Sequence, residues 1–245
     1  MTDSRESQIA QALANLQTRL ARAAEAAGRK ADEIELLAIT KFFPASDIAI
    51  LADLGCRAFG ESRDQEASRK VSELAGRLPA DTRWHMVGQI QRNKARSIAR
   101  WAHVAHSVST EKVIAALGRA AEEALGDGER EAPLAVYLQL SLDGDESRGG
   151  VDINNTAQVD ALCAAVNASA GLDFVGFMGV PPLGADADQA FARLELERSR
   201  VQANYQHRLG LSAGMSGDLE AAVKHGSTCV RVGTALLGER PLTSP

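Results

Sequence analysis

The chain has 245 residues, of which 45% are hydrophobic and 24% charged, and a formal net charge of −5. That balance is ordinary for a globular protein, and its sign argues against a dedicated binder of nucleic acid or of an anionic membrane. No apolar stretch approaches the roughly 20 residues of a transmembrane helix, the polar N-terminus lacks a signal-peptide core, and three scattered cysteines (Cys56, Cys163, Cys229) suit neither a disulfide framework nor a zinc site, so the expectation is a cytoplasmic protein with reduced thiols.

The first predicted element is a helix. Ile9, Leu13, Leu16 and Leu20 recur at i, i+4, i+7 and i+11, and the stripe ends near Gly28. Eight strand-like runs follow: LLAIT (36–40), CRAFG (56–60), RWHMVG (83–88), HVAHSVS (103–109), APLAVYLQLSL (132–142), DFVGFMGV (173–180), GLSAG (210–214) and TCVRVGTAL (228–236). Between them lie helical candidates near 45–54, 62–77, 90–101, 110–125, 154–169, 186–208 and 217–225. Alternating strand and helix implies parallel strands joined by right-handed crossovers. Eight repeats predict an α/β fold, a closed (β/α)8 TIM barrel with an extra N-terminal helix; an open doubly wound sheet is the other arrangement the alternation permits. No linker divides the chain, so residues 1–245 are expected to form one domain. The polar segment 143–150 (DGDESRGG) reads as a mobile loop at the barrel mouth, without the closing glutamate of a calcium loop.

The chemistry begins at Lys41, at the end of LLAIT and just before the turn marked by Pro44. In a parallel α/β fold that strand end lies at the ligand-binding mouth, and a desolvated lysine amine is the group that forms a Schiff base with an aldehyde. The plain alternative is a surface lysine. Phosphate commonly binds after the last two strands of such a barrel. There AGMSGD offers Ser216 before a helix start, and VRVGTALLG offers Gly233, which permits close backbone approach, and Thr234. Each piece also fits a structural role, as an N-cap or a strand end. Arg231 lies among Val230, Val232, Ala235 and Leu236. Buried, it needs a partner. It could donate to the ring nitrogen of a pyridine aldehyde phosphate and keep that nitrogen unprotonated, or it could face outward and pair with Glu239 or Asp218. His85, between Trp84 and Met86, is either a core histidine or a contact beneath the ligand. His103, His106, His207 and His225 show no metal spacing and read as structural, and Arg92, Lys94, Arg96 and Arg100 read as a solvated basic face.

Together AITKFFP (38–44), FGESRDQE (59–66), WHMVGQIQRNK (84–94), GFMGV (176–180) and LSAGMSGDLEAAVKHGSTCVRVGTALLG (211–238) make the chain resemble the pyridoxal phosphate homeostasis proteins, relatives of the alanine racemase barrel. The resemblance runs from the first strand to the last. It implies a fold-type III barrel binding pyridoxal 5′-phosphate (PLP) as an aldimine of Lys41, phosphate contacts from Ser216, Gly233 and Thr234, and Arg231 at the ring nitrogen. It further implies a carrier or regulator of vitamin B6 and amino-acid balance, a monomer or weak homodimer, with PLP-dependent apoenzymes as partners. Where the family usually has asparagine after FGE, at the position of a ring-hydroxyl contact, this chain has Ser62. It also has Ser141, Arg148 and Gly179 where the family has Asn, Lys and Thr.

The competing expectation is an amino-acid racemase, which needs two bases on opposite faces of the α-carbon. Racemases of this barrel type take the second base, a tyrosine, from a β-rich domain, and 11 residues after Thr234 leave no room for one. Tyr137 and Tyr205 are not expected at the mouth. Efficient racemisation is therefore not expected. A third reading is a barrel acting on sugar phosphates, with Lys41 as Schiff-base lysine; it gives Arg231 no specific role.

Overall fold

The computed structural model describes residues 4–239. Helix α1, Arg5–Ala26, is capped by Ser4, whose hydroxyl accepts from the Ser7 amide at 3.2 Å. Its predicted stripe is the buried one: Ile9, Leu13, Leu16 and Leu20. The chain then alternates through β1 (Glu35–Ile39), α2 (Ala45–Asp53), β2 (Ala58–Glu61), α3 (Asp64–Glu73), β3 (Arg83–Met86), α4 (Ala95–Trp101), β4 (Val104–Val108) and α5 (Glu111–Gly126). The second half runs through β5 (Leu134–Ser141), β6 (Val151–Asp152), α6 (Thr156–Asn167), β7 (Leu172–Gly179), α7 (Ala187–Gln202), β8 (Gly210–Ser212), α8 (Leu219–Lys224), β9 (Cys229–Val232) and α9 (Thr234–Leu237).

Eight strands pair in parallel in the order β4-β3-β2-β1-β9-β8-β7-β5, and β5 returns to β4, closing the barrel. All eight predicted runs are its staves. The two-residue β6 is additional, pairing Val151 and Asp152 with Leu140 and Ser141 of β5. Alternation along each strand sends Val230 and Val232 to the large core shared with the helices, while Leu37, Ala58 and Cys229 form a smaller cluster joined by Ile39 and Val87. That cluster fills only part of the barrel interior. The remainder is polar, with His85, His106, Ser212 and Arg231 all buried. Helix α1 lies outside, packed on α8, α9 and α2.

Among the departures from the sequence expectation are two boundaries and one loop. The eighth run ends as a strand at Val232, not at 236, because Gly233 turns the chain into α9. Helix α7 stops at Gln202 rather than near 208, and that side chain explains why: its amide donates to the Tyr205 and His207 carbonyls and accepts from the Leu209 amide at 2.8 Å. The loop 143–150 is closed on itself, Arg148 bonding both Asp143 and Asp145. Close strand approach also sets one glycine. Gly176 has φ 143°, and a Cβ there would collide with the Gly210 carbonyl across the β7–β8 pair.

Leu13, 3% exposed, tests whether α1 belongs to the cooperative unit. Leu13→Ala should lower the unfolding free energy by about 2–5 kcal/mol in one transition, measured by urea denaturation. A loss below about 0.5 kcal/mol, the range of surface substitutions, would mean that α1 is only loosely attached.

Candidate functional site at the barrel mouth

Lys41 is the second residue after β1 and is half-buried at the C-terminal end of the barrel. The residues on either side of it are held by a cluster the sequence reading overlooked. Lys70, on α3 and 1% exposed, donates to the Thr40 carbonyl at 2.9 Å, to Glu61 Oε1 at 2.8 Å and to Glu66 Oε1 at 2.7 Å. The Thr40 hydroxyl donates to Glu61 Oε1 at 2.6 Å, and Glu66 Oε1 also accepts from the Phe42 amide at 2.7 Å. Phe42 needs that anchor. Its φ of 71° is left-handed, the one non-glycine case among the described residues, and a conformation of this kind costs of order 1–3 kcal/mol. The Arg63 guanidinium covers its ring at 5.2 Å. Thr40 and Phe42 are thus fixed, and Lys41 is presented between them. Burial pushes the Glu61 carboxyl upward and Lys70 opposes it. Glu66 and Lys70 stand at i, i+4, a spacing visible in the sequence but ordinarily that of a surface pair.

Arg231, 6% exposed, crosses the ends of β7 and β8. Its Nη1 donates to the Ser212 carbonyl and hydroxyl, both at 2.6 Å, and Nη2 to the Gly179 carbonyl at 3.1 Å. The expected alternative, an outward-facing arginine paired with Glu239 or Asp218, is therefore incorrect: the guanidinium is inside and its partners are neutral oxygens. Burial lowers its pKa, a tendency that Cys229, Asp218 and Tyr137 partly offset. An enclosed cation with no carboxylate bonded to it among the described residues is a ready binder of an acceptor or an anion. Gly179 is closely packed: a Cβ there would press on Leu194 at 3.0 Å and on Leu142 at 3.3 Å.

The two loops expected to bind phosphate meet. The Ser216 hydroxyl, after β8, accepts from the Ala235 amide at 3.3 Å, at the start of α9 directly behind Gly233 and Thr234. Asp218 closes the first loop by accepting from the Met215 amide at 2.6 Å. From outside, Arg19 of α1 donates to the Ser216 carbonyl at 2.6 Å while paired with Glu220. The N-terminal helix therefore braces a mouth loop, a role its apolar stripe did not reveal.

Ser62 follows β2 and lines a cavity of about 450 Å³ with Arg63, Glu66, Arg69, Gln89 and Lys94. Gly88 allows the turn after β3 to press on it, since a Cβ at Gly88 would strike the Ser62 carbonyl. His85 is enclosed in the barrel, 1% exposed, with Nδ1 at 2.9 Å from His106 Nε2. Tyr137 stacks on His106 inside the barrel at 4.8 Å, and Tyr205 bonds Asn167 on the outside, so neither tyrosine stands at the mouth.

The alanine racemase N-terminal domain family matches residues 12–241. A Mycobacterium tuberculosis protein named pyridoxal phosphate homeostasis protein is 60% identical over 98% of this chain and 96% of its own length. The Escherichia coli protein of the same name is 33% identical over 95% of this chain and 97% of its own. Among solved structures, PipY of Synechococcus elongatus with PLP bound superposes with a TM-score of 0.79 at 34% identity, covering 94% of this chain and 100% of that one. An alanine racemase from Bartonella henselae shares the fold at 15% identity, with a TM-score of 0.65 over 96% of this chain and 61% of that one.

Lys70→Met removes the cation between Glu61 and Glu66 and should lower the unfolding free energy by about 3–5 kcal/mol. Chemical denaturation measures this. A loss under about 1 kcal/mol would show that Thr40 and Phe42 are held without the cluster.

Proposed function

The chain belongs to the pyridoxal phosphate homeostasis protein family, and from that premise we propose that it binds PLP reversibly at the barrel mouth, Lys41 bonding the aldehyde carbon, and acts as a carrier or regulator of the cofactor. PLP held there would supply an aldehyde to the Lys41 amine, a bond that would form with release of one water and that hydrolysis would reverse. The observation that carries the reading is Arg231, a buried guanidinium held by neutral oxygens at the ends of β7 and β8. A guanidinium keeps its protons, so a pyridine nitrogen facing it accepts a hydrogen bond and stays unprotonated. An unprotonated ring is a weak electron sink, which suits storage better than committed carbanion chemistry.

The remaining roles follow from position. Ser216, Gly233 and Thr234 hold the phosphate, drawing on the hydroxyl and on the amides of the α9 turn. Ser62 stands on the ring-hydroxyl side with a shorter side chain than the asparagine usual there. His85 acts on the site from within the barrel rather than by touching the ligand. Apoenzymes that use PLP are the natural acceptors of a reversibly held cofactor. Racemisation is disfavoured because the tyrosine of each candidate pair is elsewhere: Tyr137 lies in the barrel interior, where burial raises its pKa, and Tyr205 lies on the outer surface.

Titration of the purified protein with PLP, followed by absorbance, tests this. Wild type should develop the long-wavelength band of a protein-bound imine. Lys41→Ala should lose that band, and Ser216→Ala should keep it with affinity weakened about three- to tenfold, the loss of one or two hydrogen-bond equivalents. An unchanged band in Lys41→Ala would refute the role of Lys41. Rapid loss of optical activity from an L-amino acid would favour the racemase instead.

A further inference from the structure

The barrel interior holds a line of polar contacts that neither Lys41 nor the phosphate loops require. Ser212 Oγ, accepting from Arg231 Nη1 at 2.6 Å, lies 2.8 Å from His106 Nδ1. His106 Nε2 lies 2.9 Å from His85 Nδ1. His85 Nε2 then faces Glu35 Oε2 at 3.8 Å, and the other oxygen of that carboxylate is bonded to Arg83. The line crosses the barrel from the ends of β7 and β8 to the first residue of β1. It is enclosed from Arg231 to His85, where Arg231, Ser212, His106 and His85 are each 6% exposed or less, and reaches partly exposed groups at Glu35.

The direction of each proton follows from its two ends. A guanidinium only donates, so Ser212 Oγ accepts from Arg231 and keeps its single proton for another partner. His106 Nδ1 is the strong acceptor in reach; the Cys229 thiol beside it is a weak one. With Nδ1 accepting, the neutral His106 ring carries its proton on Nε2 and donates to His85 Nδ1. His85 is then also an Nε2–H ring, and that nitrogen, without a hydrogen-bond partner among the described residues, lies 3.8 Å from the Glu35 carboxylate, close enough for its charge to favour a proton there. The reverse polarity would put a bare Nε2 lone pair against Glu35, acceptor facing acceptor. Both rings are neutral because burial, aided by Arg83 and His103, pushes His85 down to about 3, and burial, aided by His85 and Arg231, holds His106 well below its ordinary value. Tyr137, stacked on His106, adds no charge.

We propose that His106 is a positioning residue for the pyridine ring: held as the Nε2–H tautomer, it takes the Ser212 proton, turns the hydroxyl lone pairs toward Arg231 and so fixes the guanidinium across the ends of β7 and β8. The role toward the ring rests on PLP binding as proposed above; the tautomer does not. His106 bonds Ser212 on one side and His85 on the other, so its removal should act through Ser212 and Arg231 on the ring nitrogen and spare the imine.

Nitrogen NMR of histidine-labelled, PLP-free protein should show unprotonated Nδ1 and protonated Nε2 in both rings, unchanged between about pH 6 and 8. A proton on His106 Nδ1, or a cationic ring, overturns the proposal. With ring-labelled PLP, His106→Phe should move the pyridine nitrogen resonance and weaken PLP binding about tenfold, while the imine band survives. His106→Asn, which restores an acceptor, should recover part of both. Ser212→Ala should reproduce the His106→Phe shift and serves where that variant does not fold. Wild-type protein that takes up no PLP refutes the proposed function and the ring role with it. Intact wild-type binding with an unmoved nitrogen resonance in His106→Phe and Ser212→Ala overturns the positioning role alone.

Discussion

A guanidinium inside the barrel, bonded to neutral oxygens, is the constraint around which the mouth is arranged. Arg231 cannot shed its charge and is too enclosed to be well hydrated, so every group near it must supply electron density. Ser212 and Gly179 do so from two strand ends, and His106 completes the hydrogen bonding of Ser212 from the far side. The same strand end runs, through Gly233, into the turn that meets Ser216. The ring-nitrogen donor and the phosphate loops are therefore parts of one local chain path, β9 into α9, with β8 beside it.

Lys41 is governed by a second buried charge. Lys70 ties together the ends of β1 and β2 and the first turns of α3, and its carboxylate partner Glu66 holds Phe42 in a left-handed conformation. A strained residue next to a reactive amine limits where that amine can point, which suits a site meant to present one nucleophile in one place. Helix α1 contributes on the opposite flank through Arg19 and the Ser216 carbonyl. The two charged anchors act on different sides of the mouth, and neither contributes a group to the proposed bond with the cofactor.

The barrel was legible in the sequence because the signals for it are local. Each stave is a short apolar run with a helix-period segment behind it, and α1 shows an unbroken stripe from Ile9 to Leu20. Lys41, Ser216, Gly233 and Thr234 were legible because they stand at strand ends, where topology alone assigns a mouth. What escaped depends on contacts between distant positions. Lys70 looks like one more charged residue on an exposed helix face, and only the fold carries it under Thr40. His106 resembles any histidine in a strand until Ser212, 106 residues away, meets it. Boundaries slipped for a similar reason: the Gln202 side chain satisfies the backbone of residues that would otherwise have prolonged α7. The orientation of Arg231 stayed open until the structure turned it inward, since a strand arginine reads equally well on either face.

Reduction of the PLP-loaded protein with borohydride, followed by peptide mass mapping, bears most directly on the role of Lys41. The added mass of the reduced cofactor should fall on the peptide containing Lys41, and the Lys41→Ala protein should carry none. Stable attachment to any other lysine, with Lys41 unmodified, would contradict it.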